Sequence, residues 1–188
     1  MTGKGNYTGT KSVTFTIKDV PITCSKKTYK VAYGTKPFKL EVSSVGKLSF
    51  SSSDFRVASI DKNTGKVTIK GTGIATITVK AGNESVKVTV KVSPKKQSLK
   101  SAKVLKGKKL TVGWAKDKNA SGYQVQISTS KNFKKNMKQK NLSKTSYIFT
   151  KLKAGQKYYV RVRSYKKSGK ETLYGAWSSL KRSSKVKK

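Results

Sequence analysis

Apolar and polar residues alternate with a period of two along most of this chain. The alternation is broken at intervals by glycine, asparagine, serine and proline. Successive side chains of a strand point to opposite faces, so each such run buries one face and wets the other. Residues 20–93 hold six or seven strand candidates of this kind. YKVAY precedes Gly34, FKLEVSS precedes Gly46, and LSFSSS leads through the loop DFR into VASID. Asn63-Thr64-Gly65 turns into KVTIKG, Gly73 precedes IATITVKA, and Gly82-Asn83 turns into SVKVTVKV. Val67/Ile69 and Val86/Val88/Val90 each define one face. The strand after Gly73 sets Ile74/Thr76/Thr78 against Ala75/Ile77/Val79. Short strands at a spacing of roughly 8–12 residues predict a sandwich or barrel.

Residues 99–188 repeat this logic with other landmarks. KKLTVGW ends a strand at Trp114, SGYQVQIST turns Tyr123, Val125 and Ile127 inward, and SYIFTKL follows. In LKAGQKYYVRVRSY, Tyr158, Val160 and Val162 share the core face, while Tyr159, Arg161, Arg163 and Tyr165 take the other. LYGAWSS supplies a last strand, and KRSSKVKK reads as a strand fragment with a frayed basic tail. The fold class is all-β, two tandem β-sandwiches. The expected boundaries are 19–93 for the first module, 94–98 for a short polar linker opened by Pro94, and 99–188 for the second module with its tail. Residues 1–18 carry one further alternating strand (Val13, Phe15, Ile17), which cannot bury its own face. It is either the closing strand of a preceding module or an N-terminal extension that pairs with the first module. The chain opens as if in mid-structure and reads as a piece of something longer.

Charge changes the picture more than size does. The chain carries 44 basic residues against 7 acidic ones, for a net charge of +37. Forty of the basic residues are lysine, so the field is one of hydrated point charges rather than planar forks. Residues 1–93 hold 16 basic and 5 acidic side chains, and residues 94–188 hold 28 and 2. An anionic partner would concentrate on the second half. No stretch reaches the roughly 18 apolar residues of a membrane span, and no signal peptide is visible at Met1. Cys24 is alone, which excludes an intrachain disulfide and suits a small tolerated thiol.

Catalytic chemistry finds no foothold in these residues, and no cofactor or metal is expected. The chain has no histidine, which removes the commonest general base and metal-binding imidazole. Its acids are scattered. Asp61–Gly65 (DKNTG) offers a single carboxylate to a cation and works better as a turn, because Asn63 and Gly65 tolerate left-handed backbone. Asp117 beside Lys116, Lys118 and Asn119 reads as a solvated loop. The one surface that invites a partner is basic. Tyr159, Arg161, Arg163 and Tyr165 share an outward face. Lys134 and Lys135 of the Lys131–Lys144 segment flank it, as do Lys166, Lys167 and Lys170 of a hairpin. Planar arginines among tyrosines can pair with phosphate or sulfate and stack on bases or sugars. Polar alternation on any exposed sheet looks the same, however, and lysine enrichment runs through the whole chain.

Two stretches carry family likenesses. LSFSSSDFRVASIDKNTGKVTIKGTGIATITVKA resembles the signature of the bacterial Ig-like domain of group 2. It has a strand ending in a serine pair (Ser51–Ser53), a Val57-Ala58 step, Gly65-Lys66-Val67, and the Gly71–Val79 strand. Phe50 stands where that family usually has Trp. The second half is similar to a fibronectin type III domain. It shows the strand-B Trp114, the strand-C Tyr123-x-Val125-x-Ile127, the Leu152-x-x-Gly155-x-x-Tyr158 corner, V-R-V-R in strand F, and Trp177-Ser178 in strand G. It is similar in particular to lysine-rich type III modules of clostridial surface proteins, which share the Ser128–Lys135 segment. The resemblance implies that the Tyr158 hydroxyl bonds back to the preceding turn. It also implies a non-catalytic stalk or adhesion module of a secreted, wall-associated Gram-positive protein at the cell surface, monomeric as a fragment. Anionic wall polymers or surface glycans would be its partners, with nucleic acid attracted only non-specifically. Two alternatives stay open: a specific glycan, host-matrix or nucleic-acid binding module, and an accessory tail of a surface hydrolase.

Overall fold

The computed structural model describes Ser12 and residues 21–188. The strand read over residues 6–18 lies, Ser12 apart, outside the described residues. All regular structure among the described residues is β, and no helix there is long and apolar enough to cross a membrane.

The first module contains β1 (Thr23–Cys24), β2 (Thr28–Ala32), β3 (Phe38–Lys39), β4 (Val42–Ser43) and β5 (Ser49–Ser52). These are followed by β6 (Ala58–Ile60), β7 (Lys66–Ile69), β8 (Gly73–Ala81) and β9 (Glu84–Ser93). One sheet runs β2-β9-β8-β5 and another β3-β7-β6, with β1 and β4 forming a two-stranded ribbon. Among the pairings of the described residues, only β2 on β9 is parallel. Two apolar parities compete on β8, and Ala75, Ile77 and Val79 win the core, packing with Val88, Val90 and Val92 against Val67 and Ala58. Ile74 stays half-exposed.

FKLEVSS, expected as one strand, breaks after Lys39. β3 pairs with β7 and β4 with β1, so Leu40 and Glu41 cross from one partner to another. The crossing is fastened by the Glu41 N–H, which donates to the Tyr29 hydroxyl at 2.7 Å. The Asn63-Thr64-Gly65 turn forms as read. One Asp61 carboxylate oxygen accepts from the Asn63 and Thr64 N–H groups and from the Thr64 hydroxyl. These bonds hold the Asp61 carboxyl below its ordinary pKa. Gly65 sits at φ 67°, and a Cβ there would fall 2.7 Å from the Phe50 ring. The tip of the Phe50 ring thus lies against the turn.

The second module contains β10 (Leu99–Leu105), β11 (Lys109–Trp114), β12 (Gly122–Ser128) and β13 (Lys138–Leu142). Then come β14 (Ser146–Phe149), β15 (Tyr159–Ser168), β16 (Glu171–Tyr174) and β17 (Lys181–Arg182). β10-β11-β14 form one sheet and β13-β12-β15-β16 the other, with β17 also on β15. The core joins Leu110, Val112 and Trp114 of the first sheet to Tyr123, Val125, Ile127, Val160 and Val162 of the second. The corner tyrosine behaves as the resemblance implied. Its buried hydroxyl accepts the Lys153 N–H at 3.2 Å. Tyr158→Phe leaves that donor without its partner and is expected to cost about 1–2 kcal/mol. Urea denaturation reads this as a lower midpoint at unchanged slope; an unmoved midpoint would make the bond irrelevant.

The basic tail does not fray. Val186 is 3% exposed and belongs to the core. Its N–H donates to the Gln156 carbonyl, and its carbonyl accepts the Gly155 N–H, both at 2.9 Å. The Lys187 and Lys188 carbonyls accept from Lys108 and Gly107. The apolar Val186 among lysines is what draws the tail in, because its burial outweighs the ordering of a few residues.

The two modules touch both at the linker and beyond it. Gly175 is buried against Pro94 and Lys95, where a Cβ would lie 2.6 Å from the Pro94 carbonyl. Lys91 of β9 reaches both carboxylate oxygens of Glu171 in β16 at 2.6 Å. The Thr72 hydroxyl donates to the Asn119 carbonyl.

Candidate functional site

The strand parity that separates Tyr158, Val160 and Val162 from Tyr159, Arg161, Arg163 and Tyr165 is the parity observed. Antiparallel pairing places Gln124 opposite Arg163 and Gln126 opposite Arg161. Each glutamine carbonyl accepts its arginine's Nε–H at 2.8 Å, and the Gln126 amide donates in turn to Gln139 of β13 at 2.6 Å.

This face is covered rather than open. Residues two apart on a strand sit about 6.6 Å apart, enough for one aromatic plane at van der Waals distance from each. Trp177 fills that space, with its ring 4.2 Å from the Arg161 guanidinium and 4.4 Å from that of Arg163. Phe133 covers the far side of Arg161 and Tyr174 that of Arg163, both at 3.9 Å. The result is a ladder of Phe133, Arg161, Trp177, Arg163 and Tyr174, extended by the edge contact of Tyr174 with Tyr165. Gln124 and Gln126 beneath it are 5% and 7% exposed. Burial lowers the pKa of both arginines, with the charge of Arg163 adding to the effect on Arg161. An arginine so shifted still carries its charge.

Two local features build the cover. Trp177-Ser178, read as part of one closing strand, instead lies in an irregular segment between β16 and β17. Ser178 ties that segment to β15 twice: its N–H donates to the Val162 carbonyl at 2.8 Å, and its hydroxyl accepts the Val162 N–H at 3.1 Å. Ser183 accepts the Tyr158 N–H in the same way at 3.0 Å. Trp177, immediately before the Ser178 tie, lies over the arginines. Phe133 adopts φ 59°, costly for an aromatic residue. It is held there by Ser130, whose hydroxyl accepts the Lys134 and Lys135 N–H groups.

The candidate residues therefore separate. Arg161 and Arg163 are brought together, but their planes are occupied. Tyr159 lies under Arg182, whose guanidinium is 5.2 Å from its ring. Tyr165 rests on Gly122, where a Cβ would lie 2.6 Å from its hydroxyl. Lys134 and Lys135 are exposed beside Phe133. Lys166, Lys167 and Lys170 lie at the junction with the first module, some 20 Å along the strand from Arg161 at ~3.3 Å per residue. Lys167 and Lys170 are exposed, and Lys166 is half-buried. Sequence reasoning missed Phe133, Trp177 and Tyr174 as partners of the arginines, and Arg56 and Lys118 as neighbours of Lys166 in one cleft. The serine after Trp177 was the available signal for the first group; the second group has none, because it spans two modules.

Tandem Ig-like sandwiches define a class of structural and adhesion modules. Residues 32–83 match the family described as Intimin, immunoglobulin-like domain, and residues 93–179 match the Fibronectin type III domain. The chain thus carries an intimin-like Ig domain followed by a fibronectin type III domain. Domains of these kinds are typically non-enzymatic and typical of extracellular or surface proteins. No curated protein matches the chain. Among solved structures, it is similar to the chicken CNTN1 FN1-FN3 domains at 12% identity, covering 88% of this chain and 69% of that one with a TM-score of 0.44. The FN5 domain of Drosophila Lar matches at 18% identity over 50% of this chain and 98% of that one, TM-score 0.40. A structure titled "Myokine structure" matches at 16% identity over 51% and 100%, TM-score 0.40.

Proposed function

We propose that this chain is a stalk segment of a secreted, wall-associated bacterial surface protein. Its first module would be of the group 2 Ig-like kind, and its lysines would hold it against anionic wall polymers or glycans. The observation that carries this reading is unneutralised charge. Against +37 overall, the described residues form three ion pairs, Lys26–Glu41, Arg56–Asp54 and Lys91–Glu171. Most lysines therefore face solvent with no carboxylate to neutralise them, as in a surface that meets polyanions. Docked sandwiches suit a spacer, since the linker and the contacts beside it limit bending.

Binding to a labelled polyphosphate across a salt series tests the proposal. Affinity should fall linearly on a log–log plot as salt rises, because each contact releases counterions. Absence of binding at low salt, or binding indifferent to salt, would overturn it. The parent open reading frame should also carry an export signal and further repeats.

A further inference from the structure

Two clefts flank the junction between the modules, and they differ in charge. On the β2 side, a cleft of about 440 Å³ contains Lys30 and Lys91 with Glu171, whose carboxylate is already bound by Lys91. On the β8 side, a cleft of about 360 Å³ gathers Arg56 from the β5–β6 loop, Lys118 from the β11–β12 loop and Lys166 from β15. Its one lining carboxylate, Asp54, is engaged by the Arg56 backbone N–H at 3.0 Å and by the Arg56 Nε–H at 3.2 Å. Asp117, next to Lys118, accepts the Asn119 N–H and the Ser164 hydroxyl.

The second cleft is built by both modules and held open by backbone. Lys166 has the parity of the core residues Val160, Val162 and Ser164, so it points past the end of the core toward the first module. Gly71 and Gly73 form the opposite wall. A Cβ on Gly71 would lie 2.5 Å from the Arg56 carbonyl, and one on Gly73 3.0 Å from Val57. Thr72 between them is 6% exposed and bonded to the Asn119 carbonyl, which fixes the spacing of the two walls. Phe55, the residue before Arg56 in the chain, is 71% exposed. Three cationic residues from three segments line this cleft, against the single lining carboxylate of Asp54, with which Arg56 is paired.

We propose that this cleft takes one phosphate or sulfate group carried on a saccharide or polyol chain, bridging the two modules. A guanidinium fork and two ammonium groups match a tetrahedral oxyanion, and the Phe55 ring offers an apolar plane to the rest of the repeat unit. The inference rests on the reading that the chain meets anionic polymers, and it assigns the place where one is gripped. At ~0.15 M ionic strength the screening length is about 8 Å, so scattered lysines contribute weakly while cations lining one cleft can act together on a single bound group.

The test uses the whole chain, with a short labelled polyphosphate and a labelled heparin oligosaccharide as probes at near-physiological salt. Lys118→Ala/Lys166→Ala should weaken binding about tenfold or more by removing two charge-assisted contacts. Lys134→Ala/Lys135→Ala removes the same charge away from the junction and should cost only about twofold. The probe that shows the larger contrast identifies phosphate or sulfate as the preferred group. Equal losses for the two variants with either probe would overturn the cleft while leaving the polyanion reading intact. Failure of the unaltered chain to bind either probe even at low salt would overturn that reading itself. Amide shifts of the unaltered chain on adding tripolyphosphate provide a check independent of the variants' folding. They should centre on residues 71–73 and 118–119, and a spread over all lysine-bearing strands would refute the site.

Discussion

Trp177→Ala is expected to destabilise the second module by about 3 kcal/mol. The indole is sandwiched between two guanidinium groups. A cation–π contact contributes roughly 0.5–1 kcal/mol when exposed and up to ~2 when desolvated. Both arginines are half-buried, so about 1 kcal/mol each is the reasonable figure. Uncovering the neighbouring side chains and losing the ring's own burial adds about another 1 kcal/mol. For a module of this size the loss corresponds to a fall in melting temperature of some 15 °C, at about 4–8 °C per kcal/mol. Trp177→Phe keeps an aromatic plane between the arginines and should cost about 1 kcal/mol. Arg163→Lys keeps the charge but loses the plane and the bond to Gln124, so it should be less tolerated than charge conservation suggests. Thermal unfolding followed by near-ultraviolet circular dichroism measures the series. A loss below about 0.5 kcal/mol for Trp177→Ala would mean that the ladder contributes nothing to stability.

Removal of residues 184–188 should cost about 4 kcal/mol, against no change for a tail that frays. Val186 contributes about 2 kcal/mol of buried apolar surface. The paired backbone groups shared with Gly107, Lys108, Gly155 and Gln156 contribute the remainder at about 0.5 kcal/mol each. Val186→Asp within the intact chain is a sharper version, because it buries a carboxylate with no partner among the core residues. Guanidinium unfolding of both variants decides the matter, and midpoints equal to that of the parent chain would sink the prediction.

Much of this was readable before any fold was known. The parity of Tyr158, Val160 and Val162 chose their face, and the facing pairs Gln124–Arg163 and Gln126–Arg161 arise once strands C and F are neighbours. The Asp61 turn and the Tyr158 corner were legible because their hydrogen bonds span three and five residues. The break of FKLEVSS was not legible. Its alternation continues through Leu40 and Glu41, and only the separate demands of β1 and β7 divide it. The docked tail was hidden for a related reason. One valine among lysines carries no periodic signal, and its pocket is assembled from distant strands.

The arginine face marks the boundary between local and global information. Alternation dictates that Arg161 and Arg163 leave the core together, since strand geometry acts between nearest neighbours. Whether they then meet solvent depends on Trp177 arriving from an irregular segment and on Phe133 being held in a left-handed turn 28 residues upstream of Arg161. The junction is more remote still, joining Thr72 to Asn119 across 47 residues and Lys91 to Glu171 across 80. Side-chain periodicity does not encode contacts of that range. They come from packing two finished sandwiches together, and that packing decides which cations remain free for a partner.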